Sequence, residues 1–161
     1  MPTGRPESTG SSGDRVPSVV GVLRQASLSL RAEMIERIYA AGFTDITFAQ
    51  VAIFRREGPH GRRPTEIAAA AELSKQSVND TLRYFETLGY LRLKPDPSDG
   101  RARVVHLTAR GRRLDVVIWK AGRDVERGWS DRIGEPAWST FQAVVDQIAQ
   151  AGVDAMADDE D

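Results

Sequence analysis

Cysteine is absent from this 161-residue chain, and histidine occurs only at positions 60 and 106. The first absence excludes disulfides, thiolate metal sites and cysteine-based peroxide sensing. The two histidines read as isolated, His60 in a loop and His106 on a strand, with no carboxylate ligands beside them, so no metal site is expected. No apolar run approaches the ~20 residues of a membrane span, and Met1 to Pro17 lacks the apolar stretch of a secretory signal. No phosphate-binding loop, Gly-x-Ser-x-Gly or histidine–carboxylate cluster is found either, so the chain reads as neither an enzyme nor a cofactor protein. The expected compartment is the cytoplasm, with no membrane partner.

What is present supports one folded unit, since hydrophobic residues make up 40% of the chain and charged residues 28%. A net charge of −1 gives no sign of nucleic acid, but its distribution does. Between Arg62 and Arg113 eleven basic side chains face six acidic ones, leaving that segment at +5 and the remainder at −6. A local basic patch attracts phosphates whatever the global charge.

Residues 1–17 read as a disordered Gly/Ser/Pro tail, 18–157 as a single domain and 158–161 as an acidic tail. Val19, Val22, Leu23, Ala26, Leu30, Met34, Ile35 and Ile38 recur at helical spacing, and Gly42 suits the end of that helix. Thr47-Phe-Ala-Gln50 is a capping-box pattern that opens a second helix, read as running to Gly58. Pro64 fits the first turn of a short third helix with Ile67, Ala68 and Ala71 buried. Ser74 caps a fourth, with Val78, Leu82, Phe85 and Leu88 inward and Gly89 as its stop. Tyr90–Lys94 and Arg103–Leu107 then read as a hairpin around a six-residue loop, Pro95–Gly100. Thr108 caps a long fifth helix, and a sixth runs from about Pro136 to Val153. The fold class is therefore mostly α with a small β-hairpin wing: a winged helix-turn-helix over 46–107 between terminal helices, 18–45 and 108–157.

The run Asp99-Gly-Arg-Ala-Arg-Val-Val-His-Leu-Thr-Ala-Arg-Gly111 resembles the wing and following helix of the multiple-antibiotic-resistance-regulator (MarR) family, whose signature is Asp-x-Arg, a strand, then Leu-Thr-x-x-Gly. Upstream, Thr65-Glu-Ile-Ala68, Ser77-Val78 and Phe85-Glu-x-Leu-Gly89 are similar to its helix-turn-helix, with Phe85 where leucine is more usual. The resemblance implies a DNA-binding transcriptional regulator, more commonly a repressor, reading an inverted-repeat operator as a homodimer. It implies that Lys75, Gln76, Ser77, Asn79, Asp80 and Arg83 face the major groove, where Gln76 and Asn79 can pair with adenine. Asp80 departs from the usual pattern and would either accept from cytosine or pair with Arg83. Arg101 corresponds to the wing arginine of the minor groove, with Asp99 bracing its guanidinium and Arg103 meeting phosphate.

The terminal helices are expected to form the dimer, with Leu23, Trp119, Trp129, Trp138, Phe141, Val145 and Ile148 as candidate buried residues that could equally be intramolecular core. A small aromatic or phenolic effector is implied between the two lobes, and Tyr39, Phe43, Phe48 and Trp119 are candidates to line its pocket. Two readings stand against a ligand-released repressor: a winged helix that docks proteins, which should lack a cationic wing, and an activator without a ligand.

Overall fold

A serine opens the first helix. Ser18 Oγ accepts the Gly21 N–H at 3.1 Å, and α1 runs over Val19–Ala40 until Gly42 takes the left-handed conformation at φ +91°. The computed structural model describes residues 18–54 and 58–158; the tail read at 1–17 lies outside them, as do residues 159–161 of the acidic tail read at 158–161, whose first residue, Asp158, instead closes the last helix. Gln50 Oε1 accepts the Thr47 N–H at 2.8 Å, as the capping-box pattern requires. The helix it opens is much shorter than the sequence suggests. α2 covers only Phe48–Val51 before a 3-10 turn over Ala52–Phe54. With three residues per turn, Val51 and Phe54 stack on one face, and both are buried with Ile53.

Pro64 stands at the first position of α3 (Pro64–Ala71), which Glu72 ends in the left-handed region at φ 56°. Ser74 then caps α4 (Lys75–Thr87), its Oγ accepting the Ser77 N–H at 3.1 Å. The hairpin corrects the expected six-residue loop. β1 (Leu91–Asp96) and β2 (Asp99–Leu107) continue through most of that tract, leaving a turn at Pro97 and Ser98. The antiparallel register is regular from Leu91↔Leu107 to Pro95↔Arg103, then jumps to Asp96↔Asp99. Residues 100–102 are thereby left over on one strand, a bulge at the tip. Gly61 N–H and Arg62 C=O bond to Val105 at 2.7 and 3.0 Å, so the loop before α3 is tied to β2.

Thr108 Oγ1 accepts the Gly111 N–H at 3.1 Å to start α5 (Ala109–Ile133). α6 (Glu135–Asp158) follows after Gly134. The core joins Ile38 of α1, Phe54, Ile67 of α3, Val78, Leu82 and Phe85 of α4, Val105 of β2, and Leu114 and Ile118 of α5. Phe85, the departure from the usual leucine, meets Phe54 and Tyr90 edge-on at 5.6 and 5.5 Å. The fold is mostly helical with a two-stranded wing, and its two ends are the long helices α1, α5 and α6.

Candidate nucleic-acid interface

Spacing divides α4 into two faces. Val78, Leu82 and Phe85 are wholly buried, while Lys75, Gln76, Ser77, Asn79, Asp80 and Arg83 are all exposed along the other side. Ser77 is partly committed to the cap: its hydroxyl lies 3.0 Å from that of Ser74, and its carbonyl accepts from Thr81 Oγ1 at 2.8 Å. Among the described residues no ion pair joins Asp80 to Arg83, so both present free charges to a groove.

On the wing Arg101 is exposed, and its guanidinium has no hydrogen-bond or ionic partner among the described residues. Asp99 does not brace that guanidinium as expected. Its Oδ1 accepts the Arg101 backbone N–H at 3.1 Å, and its Oδ2 lies 3.8 Å from Arg63 Nη1. An aspartate two residues ahead closes its own local turn more readily than it follows a long mobile side chain outward. Arg103 folds back along the hairpin, Nη1 donating to the Leu93 carbonyl at 3.3 Å.

Sequence reasoning missed the group that organises this tip. Arg63, the residue before α3, donates from Nε to Asp96 Oδ2 at 2.6 Å. Asp96 Oδ1 accepts the Ser98 N–H at 2.8 Å and the Ser98 hydroxyl at 2.7 Å. Asp96, at 8% exposure, is the one buried charged residue among those described. The Ser98 bonds, and then Arg63, pull its carboxyl down to about 2. A second network ties the wing base to the loop after α1 and to α5. Tyr90 OH donates to Asp45 Oδ1 at 2.5 Å, Arg110 Nη2 donates to Asp45 Oδ2 at 2.6 Å, and the Arg110 guanidinium lies 4.4 Å over the Tyr90 ring. Burial, and then the hydrogen bond to Asp45, push the Tyr90 phenol up to about 12.

The two histidines, far apart in sequence, meet edge-on with ring centroids 5.5 Å apart. His60 Nδ1 accepts the Leu107 N–H at 3.0 Å, which makes it a strut under the wing. No group of three or more metal-ligating side chains occurs among the described residues.

The four candidate pocket residues are not gathered into one cavity. Phe43 is core, tilted against Tyr90 at 6.1 Å. Tyr39 donates to the Ile46 carbonyl at 2.9 Å, Phe48 lies under Arg31, and Trp119 is 46% exposed. Phe43 alone of the four lines a cleft of about 630 Å³ between the loop after α1 and the start of α5, with Ala41, Arg112, Arg113, Val116 and Val117. Of the proposed dimer residues, Trp138 is buried within its own chain, and Trp129 Nε1 donates to Glu33 at 3.0 Å. Leu23, Trp119, Phe141, Val145 and Ile148 remain exposed. No helix among the described residues is long and apolar enough to cross a membrane.

A capped helix with an apolar back and a polar front, preceded by a short helix and followed by a two-stranded wing, defines a winged helix-turn-helix. Residues 41–102 match the family model described as MarR family. No curated protein matches the chain. Among solved structures, one described as MarR is 24% identical at a TM-score of 0.70, covering 92% of this chain and 99% of that one. The transcriptional repressor CouR, bound to a 23-mer DNA duplex, is 21% identical at a TM-score of 0.67, covering 82% and 92%. A Mycobacterium tuberculosis MarR family protein in complex with salicylic acid is 24% identical at 0.61, covering 83% and 98%. The fold is thus that of a MarR-like winged helix-turn-helix, and the family match covers the segment from the end of α1 into the wing.

Proposed function

We propose that this protein is a dimeric repressor that reads an inverted-repeat operator and is released from it by a small aromatic acid. The observation that carries the DNA reading is the separation of α4 into a buried face and an exposed face of Lys75, Gln76, Ser77, Asn79, Asp80 and Arg83, with the unpartnered Arg101 on the adjoining wing. An α-helix fits the major groove, and an arginine on a thin hairpin fits the narrower minor groove. Asp99, through the Arg101 backbone, and Arg103, beside Leu93, shape that hairpin. A protein-docking winged helix would have no use for a free cationic tip.

For the effector, the Phe43 cleft supplies apolar walls in Val116 and Val117 and cations in Arg112 and Arg113, a match for a carboxylate on a ring. The similar Mycobacterium tuberculosis protein is described with salicylic acid, which is such a molecule. Tyr39, Phe48 and Trp119 lie outside this cleft's lining. A ligand there touches both α5 and the loop that follows α1, and it releases DNA only if it prefers the arrangement that does not bind. The organisation proposed is one domain over 18–157, acting in the cytoplasm.

Titration against duplexes from the region upstream of its own gene tests this directly. Affinity should fall steeply with salt, because each neutralised phosphate releases counterions. Footprinting should show two half-sites about one helical turn apart, overlapping the polymerase site. Absence of binding to any duplex at low salt would falsify the reading.

A further inference from the structure

We propose that Arg63 is a positioning residue for the wing: its clasp on Asp96, at the entrance to the first helix of the helix-turn-helix, sets where Arg101 stands against DNA. The inference rests on the DNA reading above and adds a group outside both the reading helix and the wing.

The β-ladder cannot position the tip by itself. Backbone pairing is regular only to Pro95↔Arg103, after which residues 100–102 have no opposite number. Beyond that point the tip is held by side chains. Ser98 turns on Asp96 by two bonds, 2.7 and 2.8 Å long, and Arg101 N–H is held by Asp99 at 3.1 Å. Both carboxylates face one guanidinium: Arg63 Nε lies 2.6 Å from Asp96 and Nη1 lies 3.8 Å from Asp99, with Nη2 3.5 Å from Ser98 Oγ. Arg63 is itself fixed, since Glu66 Oε2 accepts its backbone N–H at 2.8 Å in the first turn of α3. A continuous chain of bonds therefore runs from α3 through Arg63, Asp96, Ser98 and Asp99 to the backbone of Arg101.

Two features favour positioning over direct contact with a phosphate. The charge of Arg63 is already balanced by two carboxylates, so little attraction is left for a third anion. Asp96 is buried, so removing Arg63 leaves a carboxylate away from water with Ser98 alone, and the tip must rearrange to hydrate it. The cavity of about 420 Å³ bounded by Arg63, Glu66, Asp96, Ser98 and His106 gives it room to do so.

The experiment is a double-mutant cycle on duplex binding with the full chain: parent, Arg63→Ala, Arg101→Ala and the two together, with Asp96→Asn as a second route to the same break. Arg63→Ala and Asp96→Asn should each weaken binding about tenfold in the parent, yet less than about threefold once Arg101 is alanine, because coupled residues are non-additive. General loss of stability would weaken both backgrounds alike. An equal loss in the two backgrounds, or no loss in the parent, overturns the proposal. Amide hydrogen exchange on free protein separates this from a failure of the DNA reading. Arg63→Ala should speed exchange at Ser98 and Arg101 while the ladder at Arg92 and Lys94 stays protected, and unchanged exchange at the tip also overturns it.

Discussion

Gln76 and Asn79 carry two kinds of polar group on one amide, and Arg101 carries only donors. That difference decides what each can tell a duplex. An amide can pair bidentately with the donor and acceptor that adenine alone presents in the major groove, whereas an arginine in the minor groove meets acceptors common to A·T and T·A pairs. Gln76→Ala or Asn79→Ala should therefore cost roughly 1–3 kcal/mol of binding and relax preference at one base pair. Arg101→Ala should weaken all duplexes alike and flatten the salt slope by about one. Competition between operator variants, each with one base pair changed, measures both. A loss of selectivity in Arg101→Ala equal to that in Asn79→Ala would show that the two groups had been assigned wrongly. Asp80 stands unpaired beside them, so its preference for a cytosine amino group can be read in the same experiment.

Where α5 leaves the wing, two elements touch through a glycine. A Cβ on Gly111 would lie 2.0 Å from the Tyr90 carbonyl oxygen, and that oxygen also accepts the Thr108 N–H at 3.0 Å. The obstacle is backbone, so it cannot swing aside as a side chain would. Gly111→Ala should destabilise the fold by roughly 1–3 kcal/mol or more, measured by urea unfolding, and a neutral result would mean that the helix can slide along the wing. The Ser74 and Thr108 caps, Pro64 at the start of α3, and the stops at Gly42 and Gly89 were legible in sequence because their causes are local. The wing turn was not. All six residues from Pro95 to Gly100 favour turns by composition, yet the strands persist because Asp96 gathers Ser98 beneath it and Arg63 neutralises the pair from 33 residues away. A still longer separation in sequence hid the His60–His106 contact. Burial shortened α2, since a tightened turn places Val51 and Phe54 on one face, and no local preference signals that. For the pocket, residue type alone could not separate Phe43, which lines a cleft, from Tyr39 and Phe48, which pack elsewhere.

A single chain presents one reading helix and one wing, and much of its remaining exposed apolar surface lies on the terminal helices. Val20 on α1 is 76% exposed and Ile148 on α6 is 58% exposed, with Val19, Phe141, Val144 and Val145 open beside them. Apolar surface of this kind on two terminal helices marks an interaction site, and the proposed second copy would satisfy it with closed two-fold symmetry. The charge distribution agrees with that division: the segment bearing the reading helix and wing is +5 and the rest is −6, so the net charge near zero conceals a cationic lobe. If two such lobes act together, the second docks at the high effective concentration set by the first, which adds a factor of about 10² or more to operator affinity without a new contact. Val145→Glu combined with Ile148→Glu should give a folded monomer, because both side chains are exposed in the isolated chain and their loss leaves its core untouched. Sedimentation should report half the parent's mass, far-ultraviolet circular dichroism should be unchanged, and affinity for the full operator should fall by about a hundredfold or more while affinity for a single half-site is retained. A monomeric variant that held the full operator as tightly as the parent would remove α6 from the DNA-binding mechanism.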